Sequence, residues 1–185
     1  MATVLIPLAQ GCEELEAVTI IDLCRRANFD VTTVSLSPEP ILAARGTKLI
    51  ADKVIDEVMD QEFDCIALPG GLPGADNLSK DERIKTLLTK HHQQQKIIGA
   101  ICAAPRVLLL AGIVDGRRIT SFPGTLHHLD TSNIEYVEIP VVIDGHFVTS
   151  RGPGTAMDFA LCLIEILAGV EARLAVESPL QRPKN

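Results

Sequence analysis

Short apolar runs alternate along this chain with longer segments in which apolar residues recur every three or four positions. The short runs predict β-strands and the longer segments predict helices, because strand side chains alternate in direction and helical side chains at that spacing share one face. In chain order the predicted strands are Thr3–Ala9, Val31–Leu36, Cys65–Leu68, Ile97–Ile101, Glu135–Glu138, Pro140–Ile143 and Phe147–Ser150. Strands that alternate with helices predict an α/β fold with a mostly parallel sheet, covered by helices on both faces.

Four segments predict helices, and one of them opens with Ser79-Lys80-Asp81-Glu82, which has capping-box spacing. The first helix covers Glu13–Ala27, and the second is the one that this capping box opens. The third runs from Pro105 to near Gly112, and the fourth runs from Gly152-Pro153-Gly154-Thr155 to Ala168 and is closed by Gly169. The last is apolar nearly all round, so we expect it to pack deep against the sheet. Lys48–Ile50 predicts a short hairpin-like excursion, and Asp144-Gly145 predicts a tight turn between the last two strands.

Composition and charge narrow the class of protein. The 185 residues, of which 46% are hydrophobic, predict a single globular domain over residues 1–185. The longest apolar runs are far shorter than the roughly 20 residues that span a membrane, and the N-terminus lacks the basic flank of a signal peptide. A formal net charge of -7 argues against nucleic acid or an anionic membrane surface as a partner. We therefore expect a cytoplasmic protein.

The cysteines raise the question of whether any of them is reactive. There are five, without a CxxC pair: Cys12, Cys24, Cys65, Cys102 and Cys162. An odd number without regular spacing argues against a disulfide framework or a zinc site and favours reduced thiols. Because a buried cysteine commonly fills space like a small apolar residue, local context has to single out a reactive one.

Cys102 stands out because it follows a predicted apolar strand and precedes a predicted helix. Ala100 and Ala104 flank it two positions away, and small residues are needed there if the chain reverses sharply around a nucleophile. The free N–H groups of a helix N-terminus stabilise a thiolate and lower its pKa. The pattern predicts a nucleophilic cysteine. The alternative is a compact residue that merely ends a strand.

Glu16 shares a face of the first predicted helix with apolar residues. Ile20, Leu23 and Ala27 follow it at helical spacing, whereas Glu13 lies off this face. Burial would raise the pKa of Glu16 and leave a protonated carboxyl that can donate a hydrogen bond to a thiolate. The alternative is a first-turn acid that only complements the helix dipole.

A glycine pair, Gly70-Gly71, follows the predicted strand Cys65–Leu68. The segment from Leu68 to Gly74 matches neither a dinucleotide-binding motif nor a Walker A motif, so nucleotide binding has little support. Glycines at the end of a strand let backbone N–H groups point at an anion, as in an oxyanion hole. A plain tight turn remains the alternative.

Four segments together resemble the ThiJ/PfpI superfamily, and within it the branch of the Parkinsonism-associated protein deglycase and bacterial YajL. They occur in the family's order and spacing and cover essentially the whole chain: Gly11–Val18, Leu68–Gly71, Ala100–Pro105 and Thr149–Thr155. The resemblance implies a flavodoxin-like three-layer sandwich that forms a homodimer, with the first helix near the interface. It implies neither a cofactor nor a metal.

The resemblance also implies roles for individual residues. Cys102 matches the family's oxidisable nucleophile, and Glu16 matches its protonated acid. The family's backbone positions around the cysteine pocket match Gly70, Gly71 and Ala103. The positions that line or flank the pocket, as substrate- or anion-binding residues, match Arg26, Arg45, Ser150 and Arg151.

The implied activity is that of a deglycase or glyoxalase III. In it the thiolate adds to a methylglyoxal-type carbonyl, or to its adduct on a protein side chain, and Glu16 relays protons. The alternative is a redox sensor or redox-regulated chaperone in which Cys102 becomes a sulfinic acid. Cys12, in the loop before the Glu16 helix, is a weak candidate for a resolving thiol.

Two positions depart from patterns found elsewhere in the superfamily. Ala103 stands where peptidase members have a histidine, so the usual cysteine–histidine activation is missing and a cysteine peptidase is the least favoured function. In this chain Phe122 precedes Pro123, whereas human-type proteins have a histidine before this proline. Bacterial relatives depart from the human-type pattern in the same way as this chain. His127 and His128 follow closely, and we expect both in an exposed loop.

Overall fold

A seven-stranded sheet forms the centre of the computed structural model, which describes residues 1–183. The last two residues of the predicted domain 1–185 lie outside the described residues. The strands are β1 (Thr3–Leu8), β2 (Asp30–Ser35), β3 (Ile41–Leu42), β4 (Lys48–Leu49), β5 (Lys53–Val54), β6 (Cys65–Leu68), β7 (Ile97–Ile101), β8 (Arg118–Ile119), β9 (Glu135–Tyr136), β10 (Val141–Asp144) and β11 (Phe147–Ser150). The α-helices are α1 (Glu14–Arg26), α2 (Gly74–Lys80), α3 (Glu82–Gln93), α4 (Pro105–Leu110) and α5 (Ala156–Glu177).

The central sheet runs in the order β10-β11-β7-β6-β1-β2-β5. Every neighbouring pair is parallel except β10 and β11, which form an antiparallel hairpin. The predicted, mostly parallel sheet is therefore confirmed. The excursion predicted around Lys48–Ile50 is a separate hairpin of β3 and β4, outside the central sheet.

Alternate residues of β1 face two different cores. Val4, Ile6 and Leu8 pack on the side that α1 and α5 cover, whereas Leu5 packs on the side of α2, α3 and α4. Side chains that alternate in this way fill both faces of the strand, so its sequence reads as one continuous apolar run. The predicted three-layer α/β sandwich is confirmed.

Two local predictions need correction. Ser79 lies inside α2, a helix that the sequence analysis misses, and the cap of α3 is Asp81, whose carboxylate accepts the Arg83 N–H at 2.9 Å. A side-chain oxygen at this position satisfies one of the free N–H groups of the first turn. The turn between β10 and β11 consists of Gly145 and His146, one residue later than predicted, because Asp144 pairs with Phe147.

The last helix breaks where the sequence predicts, at Gly169, but its packing differs from the prediction. Gly169 has φ 88° and ψ 170°, outside the helical region, so it ends the predicted helix, and a second helical segment of α5 follows it to Glu177. Arg173, after this kink, pairs with Glu165, before it, at 2.7 Å. The helix does not bury all of its apolar surface, since large apolar side chains remain exposed at Met157, Ile166, Val170 and Leu174.

Within the described residues, no helix is both long enough and apolar enough to cross a lipid bilayer.

Candidate active site

Cys102 lies at the carboxyl edge of the sheet, directly after β7 and three residues before α4. Its φ is 63°, in the left-handed region that L residues other than asparagine and aspartate seldom adopt. Two backbone hydrogen bonds hold it there: its N–H donates to Ser150 at 2.9 Å, and its carbonyl accepts the Phe122 N–H at 2.8 Å. The predicted sharp turn around the cysteine is confirmed, with fully buried Ala100 and Ala104 beside it.

Glu16 is fully buried at the start of α1, on the same face as Ile20 and Leu23. Its Oε2 accepts the Gly70 N–H at 2.8 Å, and the Cys102 thiol interacts with the same carboxyl. The thiol contact falls short of a well-formed hydrogen bond, so Oε1 has no full partner among the described residues. The prediction that Glu16 is a buried acid is confirmed, and a buried oxygen without a full partner is costly.

The carboxyl and the thiol shift each other's pKa. Burial raises the pKa of Glu16 to about 7, against the opposing effect of the hydrogen bonds from Gly70 and Cys102. Burial also raises the pKa of Cys102 to about 12, and the negative charge of Glu16 adds to this rise. Above neutral pH the pair therefore retains one proton, which resides mainly on the thiol.

The raised pKa of Cys102 contradicts the lowering that a helix N-terminus predicts. The helix that follows is short, from Pro105 to Leu110, and offers only a partial positive charge. The loss of hydration and the full charge of Glu16 outweigh it. A thiolate at this site therefore depends on transfer of the proton to Glu16.

The loop that contains Gly70 and Gly71 supplies backbone N–H groups to both Glu16 and Cys102. The backbone N–H groups of Gly71 and Ala103 lie close enough to the Cys102 sulfur to lower its pKa, while the Gly70 N–H donates to Glu16. A Cβ on Gly70 would lie 2.7 Å from the Cβ of Cys102. The close approach to the cysteine requires glycine here, which distinguishes this loop from a plain tight turn.

Ser150 and Arg151 lie beside Cys102 with their side chains engaged elsewhere. The Ser150 hydroxyl donates to the Pro140 carbonyl at 2.8 Å, while its own carbonyl accepts the Cys102 N–H. The guanidinium of Arg151 lies 3.6 Å from the carboxylate of Glu138. Within the chain, Ser150 thus positions the nucleophile through its backbone.

Arg26 and Arg45 lie outside the contacts of Cys102. Arg26 stands ten residues beyond Glu16 on α1, about 15 Å along the helix axis, and pairs with Asp22 at 2.7 Å. The exposed Arg45 donates its backbone N–H to the carboxylate of Glu14 at 3.0 Å. The chain by itself therefore does not bring either guanidinium to the thiol.

Neither the histidines nor Cys12 provide a second catalytic group beside the Cys102 thiol. His127 and His128 are exposed, as predicted. The remaining three, His91, His92 and His146, lie toward the amino ends of β7 and β11, at the opposite edge of the sheet. Cys12 is fully buried, and burial raises its pKa to about 11, which disfavours a resolving role.

One contact of the nucleophile escapes prediction from sequence. The Phe122 N–H bonds to the Cys102 carbonyl across twenty residues of chain. No local sequence pattern predicts this hydrogen bond, because it depends on the path of the loop after β8.

A metal site is a separate question. In residues 1–183, no group of three or more His, Cys, Asp or Glu is arranged to hold a metal ion.

Comparisons with known proteins find relatives along most of the chain. The model of the DJ-1/PfpI family matches residues 2–166. "Protein DJ-1 homolog A" of Arabidopsis thaliana is 40% identical over 96% of this chain, and the chain spans 46% of that relative, about half its length. "Glutathione-independent glyoxalase DJR-1.2" of Caenorhabditis elegans is 35% identical over 97% of this chain and 95% of the relative.

Solved structures of similar proteins have the same fold. The crystal structure of Drosophila melanogaster DJ-1beta superposes with a TM-score of 0.94 at 36% identity and covers 99% of both chains. A structure titled "Toxoplasma gondii DJ-1, oxidized" gives the same TM-score and identity and covers 100% of both chains.

Proposed function

Because the chain belongs to the DJ-1/PfpI family, we propose that it is a cysteine-dependent glyoxalase or deglycase of the DJ-1 type. It converts 2-oxoaldehydes such as methylglyoxal, free or as adducts on protein side chains, into 2-hydroxy acids. The observation that carries the proposal is the fully buried Glu16 carboxyl against the Cys102 thiol. The Caenorhabditis relative is named as a glutathione-independent glyoxalase, which supports the same reaction class.

The first step is addition of sulfur to the aldehyde carbon. The Glu16 carboxylate takes the thiol proton as the C–S bond forms, and the carbonyl electrons move onto oxygen. That oxyanion then takes the proton from Glu16, which leaves a neutral hemithioacetal. A carboxyl with a pKa of about 7 is suited to both transfers near neutral pH.

The second step moves hydrogen between the two substrate carbons. Glu16 removes the proton from the former aldehyde carbon to give an enediolate and then returns this proton to the former ketone carbon, while the hydroxyl proton on the former aldehyde carbon passes to the former ketone oxygen. The aldehyde carbon is thereby oxidised to a thioester while its neighbour is reduced to an alcohol. Water then cleaves the C–S bond, releases the 2-hydroxy acid and returns the proton to the thiol. No external oxidant or cofactor enters this balance.

The test follows lactate formation from methylglyoxal by NMR. Cys102→Ala should form no lactate above the uncatalysed rate. Cys162→Ala is the matched control, because Cys162 is a partly exposed thiol on α5 and should leave the rate unchanged. Equal lactate formation by the wild type and Cys102→Ala would contradict the proposal.

A second candidate function is redox sensing through oxidation of Cys102. The sulfur is buried but still reachable, with 8% of the residue exposed, and the N–H groups of Gly71 and Ala103 are placed to bind added oxygens. Two equivalents of peroxide would convert the thiol to a sulfinic acid and release water. The solved Toxoplasma relative is described as oxidized.

Treatment with increasing amounts of peroxide, followed by peptide mass mapping, tests the redox function. A two-oxygen adduct should form first at Cys102, and uniform oxidation of all five cysteines would contradict this function.

We also propose that the chain functions as a homodimer through α1. Leu15 and Val18 on this helix are 50% and 48% exposed and lie three residues apart, so they form a small apolar patch on one helix face. Light scattering should give twice the chain mass for the wild type, and Val18→Glu should shift it toward the single-chain mass. A single-chain mass for the wild type at micromolar concentration would contradict dimerisation.

A further inference from the structure

Phe122 is an apolar side chain that the proposed reaction leaves without a role. Its backbone N–H donates to the carbonyl of Cys102 at 2.8 Å, while the residue remains 46% exposed. A scattered exposed apolar side chain needs no explanation by itself. The backbone of Phe122, however, is hydrogen-bonded to the nucleophilic residue, so this exposed ring belongs to a residue that is fixed beside Cys102.

Gly152 holds the other side of this ring. A Cβ on Gly152 would lie 3.1 Å from the Cδ2 atom of Phe122, so the ring packs directly against glycine backbone. Gly152 comes two residues after Ser150, whose carbonyl accepts the Cys102 N–H. The ring therefore stands at the carboxyl edge of the sheet, beside the ends of β7 and β11, where Cys102 also lies.

The space at the thiol limits what can enter it. Only 8% of Cys102 is exposed and the backbone of Gly70 lies directly against it, so the opening to the thiol is narrow. Any substituent on the ketone carbon must therefore lie outside, against the rim. The Phe122 ring is an apolar surface at that rim.

We propose that Phe122 is a specificity-determining residue for the substituent of the 2-oxoaldehyde, an inference that rests on the proposed function. The ring contacts an aryl or branched alkyl group on the ketone carbon. The protein then turns over such substrates more efficiently than glyoxal, which carries only hydrogen at that position. A fixed apolar contact discriminates through the area that it buries in the transition state.

The test compares kcat/KM for phenylglyoxal and glyoxal in four proteins. The wild type should prefer phenylglyoxal, Phe122→Ala should lower the phenylglyoxal-to-glyoxal ratio about fivefold to tenfold, and Phe122→Leu should fall between them. Ile139→Ala is the matched control, since Ile139 is also an exposed apolar residue, at 41%, but has no contact with Cys102 in the structure. An unchanged ratio in Phe122→Ala would overturn the inference.

A second measurement needs no turnover and so separates this inference from the proposed function. Phenacyl bromide and chloroacetamide both alkylate a thiolate by displacing halide, and peptide mass mapping reports the rate at Cys102. The wild type should favour the phenacyl reagent relative to Phe122→Ala, whether or not either protein forms a 2-hydroxy acid. Equal relative rates in the two proteins would overturn the role of Phe122. Absence of 2-hydroxy acid formation from every substrate would instead remove the proposed function.

Discussion

Two buried titratable clusters lie at opposite edges of the same sheet. At the carboxyl edge, Glu16 faces Cys102, and at the amino edge the Nδ1 of His92 and the Nε2 of His146 are 2.9 Å apart, with His91 nearby. Both clusters contain a buried polar atom without a full partner among the described residues: Oε1 of Glu16, and Nδ1 of His146. Burial and an unpaired polar atom therefore do not by themselves distinguish a reactive site from a structural one.

Backbone strain and donor groups distinguish them. Cys102 has a left-handed backbone, receives N–H groups from two loops and lies where the carboxyl ends of parallel strands meet. Sites in open α/β sheets lie at this edge. The histidine pair instead packs against the ring of Phe147, with centroids 4.2 and 5.6 Å away, and ties α3 to the β10–β11 hairpin. We expect substitutions at the first cluster to change reactivity and those at the second to change mainly stability.

The largest difference should appear in catalysis. Glu16→Gln removes the proton relay and should lower kcat/KM for methylglyoxal roughly 100-fold to 10,000-fold. His146→Gln should leave it within about twofold, since the histidine pair lies at the other end of β11. Steady-state kinetics on both variants check this, and similar losses in both would remove the distinction between the clusters.

The pH dependence of stability should have opposite signs in the two clusters. The pKa of Glu16 rises from 4.5 to about 7 on folding, so its contribution is present below pH 4.5 and is lost as pH rises through 7. The pKa of His91 falls from 6.5 to about 4, mainly through burial, so its contribution is present above pH 6.5 and is lost as pH falls through 4. Each effect amounts to roughly 3 kcal/mol.

Chemical unfolding at pH 5 and pH 8 measures both effects. Glu16→Gln should gain stability relative to the wild type when the pH is raised from 5 to 8, whereas His91→Leu should gain relative to the wild type when it is lowered. Parallel pH dependence in the wild type and Glu16→Gln would show that the carboxyl is not buried in its neutral form.

Packing of the glycine loop predicts an effect of intermediate size. Gly70→Ala places a methyl group 2.7 Å from the backbone nitrogen of Ala103, so it should destabilise the fold by roughly 2 kcal/mol and slow alkylation of Cys102. Gly154→Ala is the control, because nothing lies within 4 Å of the added carbon. Thermal unfolding and alkylation rates check both, and equal behaviour of the two variants would contradict the close approach.

The smallest effect should come from the histidine pair. His92→Leu removes the hydrogen bond to His146 but keeps an apolar contact with Phe147, so it should cost about 1 kcal/mol of stability. Its kcat/KM should match the wild type. Unfolding curves and kinetics together check this, and a loss of activity without loss of stability would point to a functional role at the amino edge.

Local sequence patterns were sufficient for several features of the site. The apolar run before Cys102, the small residues around it and the helical spacing of Glu16 with Ile20 and Leu23 each depend on a few neighbouring residues. Such patterns follow from side-chain direction alone. The distance of Arg26 from Glu16 along α1 also follows from helix geometry.

Other features depend on contacts between distant segments. The raised pKa of Cys102 comes from burial and from Glu16, which local sequence around the cysteine does not contain. The bond from Phe122 depends on where the loop after β8 returns to the sheet. The segment of α5 after Gly169 is tied to the segment before it by the ion pair between Arg173 and Glu165. Local propensity predicts none of these.

The most direct test of the shared proton is the pH dependence of Cys102 alkylation by iodoacetamide, followed by peptide mass mapping. In the wild type the rate should rise with pH up to about 7 and then level off, because the Glu16 carboxylate formed above that pH opposes a second negative charge on the sulfur. In Glu16→Gln this opposing charge is absent, so the rate should continue to rise above pH 7. Superimposable pH profiles for the two proteins would contradict the coupling between Glu16 and Cys102.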